Sequence, residues 1–237
     1  MMKIVITALM SGTLAVAPDT IPATGGNITI QPINHATLEL TYGGKVIDID
    51  PVGQANFEGL AAPDIILVTD IHQDHLDPST VAKRKKDTTK IVAPPAAASK
   101  LENAIAIKNG ETKDVDGIGI EAVPMYNVQR GPSAGQLFHD KGRGNGYVFS
   151  LGGKRIYVAG DTECIPEMKA LKDIDVAFVP MNLPYTMPPS EAAECVKAFK
   201  PKIVYPYHHR GQNLDEFANA LKGSGVDVRI RDWYAAR

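Results

Sequence analysis

The nine residues "TDIHQDHLD", Thr69 to Asp77, set two histidines and three aspartates directly after the apolar run "DIILV". No other feature constrains the chain as strongly. The apolar run reads as a buried strand, and removing so many ionisable groups from water at its lip is costly unless each finds a partner. A bound cation satisfies imidazoles and carboxylates together, so the stretch points to a metal site whose remaining ligands come from elsewhere in the chain.

The rest of the sequence supplies three similar strand ends. Asn127 follows "EAVPMY", Asp161 follows "IYVAG", and His208 with His209 follows "IVYPY". The loops after strands are where α/β scaffolds gather their sites, so these clusters and Asp70, His72, Asp74 and His75 are placed to converge on one cleft. Residues two apart on extended chain share a face, while the neighbours Asp74 and His75 point apart unless the chain turns. The stretch can therefore offer two ligands to one ion and two to another. Imidazole and carboxylate without thiolate fit zinc, manganese or iron in a hydrolytic site better than a closed structural zinc site.

Up to Gly160 the chain reads mainly as strands and hairpins: "NITIQPI", "TLELTY" and "KVIDID", the last two joined at Gly43 and Gly44, then "IILVT", "KIVAP", "GIGIEAVPM", "GYVFSL" and "KRIYVAG". A helix over "PSTVAKRKK" starts with Pro78 and takes Asp77 or Ser79 as its cap, and a short Ala-rich helix lies near Ala96. The last third alternates strand and helix: "DVAFVPM", "SEAAECVKAFK", "KIVYPYH", "NLDEFANALK" and "VDVRI". This order predicts an α/β (α+β) fold: two mixed sheets packed face to face with helices outside, a four-layer αββα sandwich.

The chain has 237 residues, 44% hydrophobic, with a formal net charge of -2. That gives no electrostatic reason to expect nucleic acid, and "KRKKD" from Lys83 reads as a solvated helix end. Beyond the N-terminus no apolar run reaches the roughly 18 residues of a membrane span, and a homo-oligomer is compatible with the composition. The start, "MMKIVITALMSGTLAVAPDT", has a signal-peptide layout over residues 1–17, with a cut preferred after Ala15 and a domain from residue 18 to 237. It implies export to a periplasmic or extracellular space; if the segment is instead a first strand, the protein is cytoplasmic. Cys164 and Cys195 either pair or stay as buried thiols.

The strand-end residues resemble the metallo-β-lactamase superfamily, whose signature runs H-x-H-x-D-H, then a single His, an Asp in a "GDT"-like element and a final His. This chain offers "DIHQDH" at 70–75, "GDT" at 160–162 and "YPYHHR" at 205–210. "INHATLELTYGGKVIDIDP" looks like the start of the lactonase-like branch, to which the ascorbate-phosphate lactonases belong; N-acylphosphatidylethanolamine phospholipases D are more distant. The likeness spans about Ile30 to Gly211. Carried over, it gives one metal position Asp74, His75, Asp161 and His208, and leaves the other with His72, the bridging Asp161 and Asp70 in place of the first His. Asn127 stands where the third His belongs, and His139 in "LFHDKG" is the candidate for that gap.

The resemblance implies a hydrolase using one or two ions, Zn2+ first and Mn2+ or Fe2+ as alternatives, on a small-molecule ester, lactone or phosphodiester. Asp74 would orient the nucleophile and deliver a proton, as its equivalents do in the family. Tyr126, Asn127, Arg143 and Tyr185 lie in the site loops as substrate contacts. A degenerate metal- or ligand-binding relative is the alternative, motivated by Asp70 and Asn127. His35 is read as an ordinary satisfied histidine in a family element near the site, His209 as a neighbour of the ligands, and Asp77 as a helix cap.

Overall fold

The computed structural model describes residues 17–234. Apart from Ala17, the segment read as a signal peptide lies outside the described residues. The chain order is β1 (Asp19–Ala23), β2 (Gly26–Asn34), β3 (Thr37–Tyr42), β4 (Lys45–Ile49), β5 (Ile65–Leu67), α1 (Pro78–Arg84), β6 (Lys90–Ala93), α2 (Pro95–Ala98), β7 (Ile105–Ala106), β8 (Thr112–Val115), β9 (Ile118–Met125), β10 (Gly144–Leu151), β11 (Lys154–Val158), α3 (Pro166–Lys169), β12 (Val176–Pro180), α4 (Pro189–Phe199), β13 (Ile203–Tyr207), α5 (Leu214–Ala220) and β14 (Asp227–Val228). The short elements β1, β7, β8 and α3 escape a reading by periodicity, because two to five residues carry too little pattern to stand out.

Two seven-stranded sheets result among the described residues, one ordered β1 to β7 and the other β14 to β8. Each is half antiparallel and half parallel. Hairpins join β1 through β4 and β8 through β11, and parallel pairs run from β4 to β7 and from β11 to β14.

Strand alternation sorts the side chains into layers. Ile47, Ile49, Ile65 and Leu67 of the first sheet meet Phe149, Ile156, Val158 and Phe178 of the second in one central core. Their neighbours in sequence face outward: Ile66, Val68 and Ile91 pack with Val81 of α1 and Ala97 of α2. Tyr157, Ala177 and Val204 pack with Met168 of α3, Val196 of α4 and Phe217 of α5. Each fully buried Leu, Ile or Phe stabilises this sandwich by roughly 1.5–3 kcal/mol. The four predicted layers are all present.

Local chemistry ends the elements as expected. Asp77 caps α1, its Oδ1 accepting from the Ser79 and Thr80 amides. The basic run is spent on nearby acids: Arg84 pairs with Asp48 and Glu39, Lys85 with Glu102 and Lys86 with Asp64. No helix among the described residues is long and apolar enough to cross a membrane.

Candidate metal centre

The loops after β5, β9, β11 and β13 open at one edge of the sandwich. After β5 the chain turns sharply, with the His75 and Leu76 amides both bonded to the His72 carbonyl at 3.0 and 2.8 Å. That turn separates Asp70 and His72 from Asp74 and His75. Gly160 permits the next approach: its φ is +67°, and a Cβ there would lie 2.5 Å from the Met125 sulfur and 3.3 Å from Thr69. The glycine lets Asp161 reach the middle of the cluster.

Asp161 is the hub. Its Oδ2 lies 3.3 Å from His75 Nε2 and 3.2 Å from His139 Nε2, and its Oδ1 lies 3.4 Å from His208 Nε2. Asp74 Oδ2 faces His208 Nε2 at 3.3 Å and His35 Nε2 at 3.4 Å. On the other side, His72 Nδ1 is 3.0 Å from Asp70 Oδ2, which is 4.0 Å from His139 Nε2. Three sets have ligand atoms all within 4.8 Å of one another: His35, Asp74 and His208; Asp70, His72 and His139; His75, Asp161 and His208.

Outer groups fix which ring nitrogen faces inward. His75 Nδ1 is held by Asp50 Oδ2 at 2.8 Å, and Asp50 is itself held by the amide and hydroxyl of Thr69 at 2.7 and 2.6 Å. His139 Nδ1 meets Asn127 Oδ1 at 2.5 Å, and His35 Nδ1 meets the Tyr234 hydroxyl at 2.5 Å. Bonding at Nδ1 leaves Nε2 with its lone pair toward the centre, the arrangement outer-shell partners give metal-ligating histidines. The backbone also bends to deliver these groups: His35, Asp50 and His208 have φ of 53°, 46° and 47°, a left-handed region disfavoured for side chains with a Cβ.

The donor set fits a divalent cation. His75 Nε2 and Asp161 Oδ1 are buried without a hydrogen-bond partner. Burial pushes the His75 imidazole down, but Asp161 and Asp50 outweigh it and hold its pKa well above the usual range. Asp161 is buried too, yet His208 and His75 keep its pKa well below that of an ordinary carboxylate. The negative field that would retain a proton at His75 equally retains a metal ion.

The structure brings together Asp70, His72, Asp74, His75, His139, Asp161 and His208 from the sequence analysis. The four expected substrate contacts divide. Tyr185 is 46% exposed, packs on Phe138 and lines the cavity above the cluster. Tyr126 turns away, its hydroxyl bonded to Glu167 at 2.9 Å and its ring against the helix layer. Asn127 is buried and fully engaged, donating to Glu163 and to the Tyr185 carbonyl while holding His139. Arg143 is spent on Asp70 through two bonds of 3.0 and 2.8 Å.

Several contributors escaped the sequence reading. His35 is buried, with its ring stacked 3.7 Å from that of His208. Asp50 ends the apolar strand "KVIDI", the same strand-end acid signal that marked Asp161. Glu163 gathers the amides of Val128, Gln129 and Arg130 at 3.0, 3.1 and 2.8 Å and so anchors the loop that leads to His139. Next to it, Cys164 pairs with Cys195 of α4, a disulfide with Cα atoms 5.5 Å apart, which decides between the two readings of the cysteines.

The family described as "Beta-lactamase superfamily domain" matches residues 29–208. The chain belongs to the β-lactamase superfamily. A UPF0173 metal-dependent hydrolase of Thermococcus onnurineus is 36% identical over 198 residues, covering 77% of this chain and 84% of that protein. A second protein so described, TK0141 of Thermococcus kodakarensis, is 33% identical over 86% of this chain and 96% of its own length. Among solved structures, a protein assigned as a metal-dependent hydrolase from Parabacteroides distasonis is 44% identical, with a TM-score of 0.86 over 91% of this chain and 98% of that one. Igni18, a metallo hydrolase of Ignicoccus hospitalis, shares the fold at 22% identity and a TM-score of 0.71, covering 86% of this chain and 94% of its own. The matched span, residues 29–208, includes every residue of the candidate metal centre.

Proposed function

We propose that this β-lactamase-superfamily member, a metal-dependent hydrolase, cleaves a small ester, lactone or phosphodiester, and that it is exported. One observation carries the reading: Asp74, His75 and His208 on one side and Asp70, His72 and His139 on the other share Asp161 at the base of a cavity of about 490 Å³. Zinc suits these nitrogen and oxygen donors best, with manganese or iron(II) as alternatives. Both departures from the signature are matched by a second side chain, His139 for Asn127 and Arg143 for Asp70. That matching favours a working centre over a degenerate binder.

A divalent cation held by Asp161 with His75 and His208, or with His72 and His139, would supply Lewis acidity, lowering the pKa of water and polarising a substrate oxygen. The side chains do the rest. Asp74, half-exposed toward the cavity, has its carboxylate held well below the ordinary range by His208 and His35 against the cost of burial, so it stays an acceptor that orients a water. Pro132, Leu137, Phe138 and Tyr185 form an apolar wall for the substrate body. Arg210 lines the same cavity and makes no ion pair among the described residues, which suits an anionic group on the substrate.

The test is hydrolysis across ester, lactone and phosphodiester panels before and after chelation. Activity is expected to vanish with chelator and return with added zinc or manganese, and to fall on acidification as protons compete for the imidazoles. Chelator-resistant turnover would sink the reading. Arg210→Gln is expected to raise KM for anionic substrates about tenfold while kcat stays near wild type, as loss of uniform binding does; equal KM values for the two proteins would remove Arg210 from the site. The Cys164–Cys195 disulfide supports export, since such bonds persist in oxidising compartments. Fractionation of the native host, with the mature N-terminus sequenced, tests that part.

A further inference from the structure

The geometry points to the Asp70–Arg143 pair acting as one composite, electrically neutral metal ligand in place of a histidine. This rests on the two-centre reading above and concerns only the centre of Asp70, His72, His139 and Asp161. Asp70 is fully buried, and Arg143 grips both of its oxygens, Nε to Oδ1 at 3.0 Å and Nη2 to Oδ2 at 2.8 Å. The same Oδ2 faces His72 Nδ1 at 3.0 Å and His139 Nε2 at 4.0 Å. One oxygen thus serves the guanidinium and the cluster at once.

Charge explains the arrangement. A centre of three imidazoles and one carboxylate carries a single negative charge. Replacing an imidazole with a bare aspartate adds a second, which binds a dication more tightly but blunts its pull on water. The Arg143 guanidinium cancels that added charge, restoring the balance of the imidazole set. A guanidinium suits the task because it is always charged and its fork matches a carboxylate at both oxygens.

Arg143 is also oriented from the far side. Its Nη1 donates to the Phe138 carbonyl at 2.9 Å, next to His139, and the Asn127 amide bonds the His139 carbonyl at 2.8 Å. The substitute for the first histidine and the substitute for the third are therefore stitched into one loop. Arg143 is in this sense a positioning residue that sets the charge of the centre without touching the substrate.

The test is zinc affinity at the second centre, measured by competition with a chromophoric chelator for wild type, Arg143→Gln, Asp70→His and the double variant. Loss of an outer-shell partner ordinarily costs roughly 10- to 100-fold in metal affinity, and removing a neighbouring cation is expected to reverse that sign. Arg143→Gln is expected to tighten zinc about tenfold, Asp70→His to weaken it at least about tenfold by setting two cations together without the carboxylate, and the double variant to return to within about threefold of wild type. Arg143→Lys, which keeps the charge, stays near wild type and serves if Asp70→His does not fold. Weakened binding in both Arg143→Gln and the double variant overturns the proposal and makes Arg143 a loop clamp. Uptake of only one zinc by the wild type overturns the second centre itself and this proposal with it. Two zincs with affinities that ignore Arg143 overturn the charge pairing alone.

Discussion

Asp161→Ala is expected to lose both metal ions and at least about a thousandfold of the hydrolytic rate, the equivalent of roughly 4 kcal/mol of lost Lewis-acid stabilisation. Asp161 lies against both halves of the cluster: its two oxygens reach His75, His139 and His208 at 3.2–3.4 Å. Removing it leaves each set one anionic ligand short. The fold itself should survive, because Asp161 stands outside the apolar contacts that join the two sheets. Elemental analysis checks the metal content and near-ultraviolet circular dichroism checks packing. A variant that retains two equivalents of metal would show that the bridge assigned to Asp161 does not exist.

Asp50→Asn is expected to cost roughly 10- to 100-fold in metal affinity although residue 50 touches no ligand position on the cavity side. The carboxylate of Asp50 accepts from the Thr69 amide, the Thr69 hydroxyl and His75 Nδ1, three donors in a fully buried pocket. Asparagine has one oxygen to offer and turns an NH2 toward the remaining donors. With that NH2 turned toward Nδ1, His75 keeps its hydrogen bond to residue 50 only by moving its proton to Nε2, the nitrogen that must be free for a metal. The wrong tautomer, more than any lost volume, is the cause of the defect. Asp50→Ala should add a fold penalty of about 1–3 kcal/mol per stranded donor. Nitrogen-15 NMR of the imidazole distinguishes the two tautomers, and an Asp50→Asn protein with wild-type zinc affinity and an unchanged His75 spectrum would refute the argument.

The sandwich is largely legible in the residue pattern, and so is the outline of its candidate site. Alternating runs such as "KVIDI" and "KRIYV" declare which side chains face the central core, since the strand period is two whatever the neighbours are. The histidines and aspartates after β5, β11 and β13 were visible because polar residues at the end of a buried strand have few other reasons to be there. The short strands β1, β7 and β8 were not, and neither was the role of His35, whose stacking partner His208 lies on the opposite sheet's β13 strand end. Tyr126 and Arg143 show the same limit from the other direction. Each sits in a site loop, yet Tyr126 bonds Glu167 and Arg143 bonds Asp70 instead of opening onto the cavity.

Layer order, the loops that meet and the kind of donors they bring are all written in the local residue pattern. Which ring nitrogen faces inward, which carboxylate meets a guanidinium, and that His139 sits against Asn127 from twelve residues away emerge from long-range packing. The division has a physical reason. Backbone periodicity is a local property written in adjacent residues, whereas tautomer, charge balance and ligand direction are set by groups such as Asp50, Asn127 and Arg143 that reach their partners only after the sheets have packed.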